Sequence, residues 1–205
     1  MNLPNKLTVL RMIMVPIFMI VMLLPESVIP FDVMCIVSAA LFILASITDS
    51  LDGKLARKHN LVTDFGKFMD PLADKFMVIG ALLCILHRFE SIRIYVLIVT
   101  IIVVFRELAV TAARLVASTS GGVVIAANML GKLKTVFQII FISSVFIEPV
   151  LWKFAAGLIP ALSFLTEILY GFPVSFVAMA ATAVLTVWSG LNYIKGCWKY
   201  INTDK

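Results

Sequence analysis

Long apolar runs near residues 8–24, 32–57, 66–87, 92–118, 125–148 and 173–198 constrain this chain more than any other feature of its sequence. In hydrocarbon every backbone N–H and C=O must find a partner inside the protein, so only helices and closed barrels can cross a membrane. Runs of this length suit helices and lack the alternation of inward and outward residues that marks a barrel. With 61% hydrophobic and 14% charged residues and a mean hydropathy of +1.06, the chain reads as an all-α integral membrane protein with six transmembrane helices. No repeat, low-complexity tract or soluble linker divides it, so residues 1–205 form a single membrane domain.

Six spans place both termini on the side that also holds the second-to-third and fourth-to-fifth connections. Fourteen of the seventeen Lys and Arg residues fall there, and only Arg88, Arg93 and Lys153 fall opposite, with Glu26, Asp32, Glu90, Glu148 and Glu167. The bias of basic residues makes the first side cytoplasmic. Residues 151–170 are apolar enough for a seventh span, which would export the basic tail. Pro149, Gly157, Pro160 and Pro173 favour an interfacial or re-entrant insertion over 149–172 instead. The first run is a span rather than a signal peptide, because Pro25-Glu26 follows it without a small-residue cleavage pattern. Cys35, Cys84 and Cys197 have no metal spacing and read as small buried hydrophobes. The net charge of +5 suits anionic lipid and phosphorylated substrates, and no soluble domain is present to bind nucleic acid.

Between the second and third runs stands Asp49-Ser-Leu-Asp52-Gly53-Lys-Leu-Ala56-Arg57, followed after eight residues by Gly66-Lys-Phe-Met-Asp70-Pro-Leu-Ala-Asp74. Ionisable groups beside membrane-spanning sequence are costly and mark functional sites by default. On a helix, Asp49, Asp52, Gly53 and Ala56 share a face with Arg57 at its edge, and Gly66, Asp70 and Asp74 form a second stripe. Antiparallel neighbours would bring all the carboxylates together, where their repulsion demands protonation or a neutralising cation. An all-oxygen donor set points to Mg²⁺, Mn²⁺ or Ca²⁺ rather than zinc, and suffices for two ions clamping a phosphoryl group. Gly53, Ala56 and Gly66 leave room either for a ligand near the backbone or for tight helix packing. Beside the acids and Arg57, which can hold phosphate oxygens bidentately, a ligand is favoured. Pro71 either interrupts a helix or marks its first turn, and His59 reads as a solvated loop residue.

At every position, Asp49-x-x-Asp52-Gly53-x-x-Ala56-Arg57, eight residues, then Gly66-x-x-x-Asp70-x-x-x-Asp74 resembles the motif of the CDP-alcohol phosphatidyltransferases. The resemblance implies a six-helix fold, usually a homodimer, with a polar metal-containing cavity at the cytoplasmic interface. There, two Mg²⁺ or Mn²⁺ ions would hold a CDP-linked donor, CDP-diacylglycerol, whose tails stay among membrane lipids. Asp49, Asp52 and Asp70 would be metal ligands, and Asp74 the general base, close enough to the metals to be a ligand too. Gly53, Ala56, Arg57 and Gly66 would hold the nucleotide, assisted by Asn5 and Thr8 of the pattern Pro4-Asn5-x-x-Thr8-x-x-Arg11. A bacterial plasma membrane is the expected location.

Arg106-Glu107, Arg114 and Gly131-Lys132-Leu-Lys134-Thr135 resemble the branch of this family whose acceptor is sn-glycerol 3-phosphate. Arg106 and Arg114 share a helix face, and with Lys134 and Lys132 they could bind the acceptor phosphate. Snorkelling at the interface is the competing role, and it suits Lys132 best. A cardiolipin or phosphatidylinositol-phosphate synthase would carry the same motif with another acceptor pocket. A divalent-cation transporter would instead spread its acids through the membrane depth, within two related halves.

Overall fold

The computed structural model describes residues 2–58, 63–121, 129–158 and 172–198. Among them are six long helices: α1 (Leu3–Leu23), α2 (Phe31–Lys58), α3 (Asp64–Arg88), α4 (Arg93–Gly121), α5 (Met129–Leu158) and α6 (Pro173–Trp198). A 3₁₀ turn, Glu90–Ile92, leads into α4. The helices pack as a ring in the order α1, α2, α5, α6, α4, α3 and back to α1. Large apolar side chains such as Ile17, Leu44, Ile98, Phe105, Val184 and Trp188 point outward. A surface of that kind is stable against lipid and not against water, so this is an integral membrane protein.

Five helices are long and apolar enough to cross a membrane, and α3 is the exception to the six expected spans. Asp64, Lys67, Asp70, Asp74 and Lys75 occupy its first turns. From Phe76 to Leu86 its apolar remainder is about 17 Å long at 1.5 Å per residue, against roughly 30 Å of hydrocarbon. The start of α3 is fixed by Thr63, whose hydroxyl accepts the Gly66 N–H at 3.1 Å. Because α3 begins at Asp64, Pro71 lies inside it, which resolves the two readings of that proline.

One stripe of α1 is buried: Pro4, Asn5, Thr8, Arg11, Val15, Phe18 and Met22. Its early members are polar and its late ones apolar, and this gradient divides the bundle. In the apolar half, edge-on aromatic contacts link Phe18 to Phe146 at 5.7 Å and Phe89 to Phe172 at 5.9 Å between ring centroids. Beyond them, Arg88 pairs with Glu26 at 3.3 Å, Arg93 with Glu90 at 2.9 Å, and Lys153 with Asp32. The basic residues expected opposite the others therefore sit together at one end, each with an acid.

Helix α5 continues through Pro149 to Leu158, past the end expected at 148. Residues 159–171, most of the expected insertion, lie outside the described residues. Glu148 ties α5 to α6: its buried carboxylate accepts the N–H groups of Val174 at 2.6 Å and Ser175 at 2.9 Å, and the Ser175 hydroxyl. A carboxylate there satisfies donors that the first turn of α6 leaves open, and it complements the helix dipole. Glu148→Ala should lower the stability of the detergent-solubilised protein by about 1–3 kcal/mol, the cost of buried donors left unmatched. Thermal unfolding checks this; an unchanged midpoint would remove the carboxylate's assigned role.

Candidate active site

The polar half of the bundle is assembled on α1. Arg11 is fully buried, and its Nη1 lies 2.6 Å from Asp49 Oδ1 on α2. One turn earlier, the Thr8 hydroxyl donates to Asp70 Oδ1 on α3 at 2.6 Å. Asn5 Oδ1 accepts the Thr63 hydroxyl at 3.0 Å. Each polar position of the stripe thus holds a residue of the acidic motif or its helix cap. Charge-assisted contacts of this length fix carboxylate rotamers as well as neutralise charge.

A Cβ on Gly66 would stand 3.3 Å from Asn5 Oδ1, 3.4 Å from Thr63 Oγ1 and 3.7 Å from Asp70 Oδ2. Side-chain oxygens of Asn5, Thr63 and Asp70 thus lie side by side at this glycine. Such a donor set suits a hard divalent cation. Among the described residues no group of three or more His, Cys, Asp or Glu side chains converges as a metal site. The side chains of Asp52, Ala56 and Arg57 lie outside the described residues, and Gly53 is half-buried on α2.

Asp74, one turn beyond Asp70, lies on the same stripe of α3 about 40° further round, toward α4 and α5. It lines a cavity of about 300 Å³ between α3, α4 and α5, together with Arg106, Glu107, Arg114, Lys134 and Gln138. Lys134 is buried, with Nζ 2.7 Å from Glu107 Oε1, and Arg106 Nη1 lies 3.0 Å from the same oxygen. Three of the expected basic residues are brought together with Asp74, whereas Lys132 is exposed and outside the lining. On α5, two residues from Lys134, its side chain is exposed and is not brought together with the other three.

Arg11 and Glu107 are the residues to which sequence reasoning gave no role. Their signal was present, since each interrupts an apolar run with a charge. Spacing alone could not name their partners on other helices, Asp49 for Arg11 and Lys134 for Glu107.

A family-wide sequence model of the CDP-alcohol phosphatidyltransferases matches residues 1–188, which include every acid and base of this site. The chain belongs to the CDP-alcohol phosphatidyltransferase family. It is 42% identical to the CDP-diacylglycerol–glycerol-3-phosphate 3-phosphatidyltransferase of Bacillus subtilis, over 99% of this chain and 98% of the relative. The enzyme of the same name from Wigglesworthia glossinidia brevipalpis is 39% identical over 75% of this chain and 78% of its own. That of Escherichia coli K12 is 33% identical over 94% and 93%.

In this family member the Arg11–Asp49 pair gives a stability test separable from catalysis. Removing one partner leaves a charge without its counter-ion, and removing both does not. With metal chelated, Arg11→Leu should cost about 2 kcal/mol, discounted because Asp49 is part-exposed. The Arg11→Leu/Asp49→Leu double variant should be more stable than Arg11→Leu; equal or lower stability would refute the pairing's role.

Proposed function

We infer that this chain transfers the phosphatidyl group of CDP-diacylglycerol to sn-glycerol 3-phosphate, giving phosphatidylglycerophosphate and CMP in phospholipid biosynthesis. Relatives bearing that activity in their names align over nearly the whole chain. The observation that carries the reading is the shared cavity of Asp74, Arg106, Arg114 and Lys134. It joins a carboxylate from the acidic motif to cations suited to a phosphate, and glycerol 3-phosphate offers a hydroxyl and a phosphate a few bonds apart.

The chemistry then follows from the residues. Arg106, Arg114 and Lys134 hold the acceptor phosphate, the guanidiniums by directional paired hydrogen bonds and the ammonium as a point charge. Asp74 takes the proton from the acceptor hydroxyl, whose oxygen attacks the lipid-linked phosphorus as the bond to CMP breaks. Asp49, Asp52, Asp70 and Asp74 would hold two Mg²⁺ or Mn²⁺ ions, which when bound would supply charge neutralisation to the donor diphosphate and the departing CMP. Thr8 and Arg11 keep Asp70 and Asp49 aimed, as outer partners of metal ligands do. Asn5, Thr8, Gly53, Ala56, Arg57 and Gly66 cradle the nucleotide. Lys132 anchors α5 at the interface. The basic end faces the cytoplasm of a bacterial plasma membrane with both termini, and the working form is a homodimer, as the family resemblance implies.

Asp49→Asn, Asp52→Asn and Asp70→Asn should each abolish transfer while the protein stays folded, and a chelator should do the same reversibly. Full activity of all three with saturating Mg²⁺ or Mn²⁺ would sink the metal assignment. Asp74→Asn should slow turnover by about 10²–10⁴-fold and retain CDP-diacylglycerol binding, as expected of a lost general base. Turnover at the unmodified rate would end that assignment. With labelled CDP-diacylglycerol and a panel of glycerol 3-phosphate, serine, inositol phosphate and phosphatidylglycerol, only the first should yield lipid product.

A further inference from the structure

We propose that the last helix sets the acceptor affinity without touching the acceptor: Gly190 and Tyr193 on α6 are positioning residues for Arg106 and Arg114 on α4. The proposal rests on the cavity being the glycerol 3-phosphate site. Helix α6 packs along α4, and neither Gly190 nor Tyr193 lines the cavity. Three residues apart, they lie on one face of α6, as the arginines, eight apart, lie on one face of α4.

Arg106 is held at both ends. A Cβ on Gly190 would stand 3.0 Å from Arg106 Cγ and 3.9 Å from its Cβ, so the stem occupies the space that the glycine leaves. The head pairs with Glu107 at 3.0 Å, and a Cβ on Gly131 of α5 would come within 3.8 Å of Nη2. A methyl group at 190 requires the stem to give by a few tenths of an ångström, and the stem carries the head that pairs with Glu107. Arg114 is held differently: its Nε donates to the Tyr193 hydroxyl at 3.4 Å, and its guanidinium carbon lies 5.8 Å from the Tyr193 ring centroid. The ring is buried against Val110 and Ala113, so it cannot follow a straying arginine. Planar guanidinium recognition of phosphate is directional, which makes these supports matter for affinity.

Steady-state kinetics on the detergent-solubilised full chain test this. Gly190→Ala and Tyr193→Leu should each raise the KM for glycerol 3-phosphate roughly tenfold, within the range of coupling between contacting residues. The KM for CDP-diacylglycerol should stay within about twofold, since only acceptor contacts are disturbed. Tyr193→Phe, which keeps the ring, should show a smaller rise in the same parameter and covers the case in which Gly190→Ala does not fold. In Gly190→Ala/Arg106→Ala and Tyr193→Leu/Arg114→Ala, the α6 change should add nothing to the arginine change. Additive effects, equal rises in both KM values, or unchanged kinetics would overturn the proposal and leave α6 as packing. If Arg106→Ala and Arg114→Ala themselves leave the glycerol 3-phosphate KM unchanged, the acceptor-site reading fails and this proposal with it. If they raise it and the α6 variants do not, the positioning role alone is lost.

Discussion

The buried pair of Arg11 and Asp49 is the interaction on which the polar half of this bundle depends. A guanidinium with no exposure is tolerated only where a counter-charge meets it, and an acid beside lipid has the same need. Placing one on α1 and the other on α2 makes helix packing and charge compensation a single event. Thr8 and Asn5 extend the arrangement to α3, so α1 touches both acid-bearing helices through one stripe. The same stripe becomes apolar at Val15, which lets one helix serve a polar site and an aromatic core.

The opposite end shows what the chain does with charges that have no such work. Arg88, Arg93 and Lys153 each meet an acid, and Glu148 closes the first turn of α6. Those contacts are mostly exposed and contribute little individually. Glu148 is the exception, because it is buried and accepts both the N–H and the hydroxyl of Ser175, which is buried with it.

Among the described residues the long helices and their order were legible in the sequence, because apolar runs of that length leave the backbone little choice. The acidic stripes were legible as well: three- and four-residue spacings on a helix dictate a shared face, and Asp49, Asp70 and Asp74 do come from neighbouring helices at one end. Less was readable where tertiary contact decides. Pro149 suggested a break, but a proline removes one hydrogen bond without forbidding continuation, and Glu148 anchors α5 against α6 at that point. Interface anchoring already suited Lys132 better than Lys134 in the sequence, but the partner was not readable: two residues on a helix turn them to different sides, and of the two only Lys134 reaches Glu107. Gly190 and Tyr193 carried no signal at all, since a glycine and a tyrosine in an apolar helix are ordinary until their neighbour on α4 is known.

The shortfall of α3 as a membrane span follows from the work its sequence does. Asp70 turns to α1, while Asp74, one turn on and rotated by the helical twist, turns to the cavity bordered by α4 and α5. A single stripe can address both sides only if its residues are polar over several turns, and polarity there removes hydrocarbon length that the helix would otherwise have. The ring compensates. Helix α3 packs against both α1 and α4, so its charged turns meet protein on either side, and an apolar stretch too short to span alone can stand among five helices that are long enough.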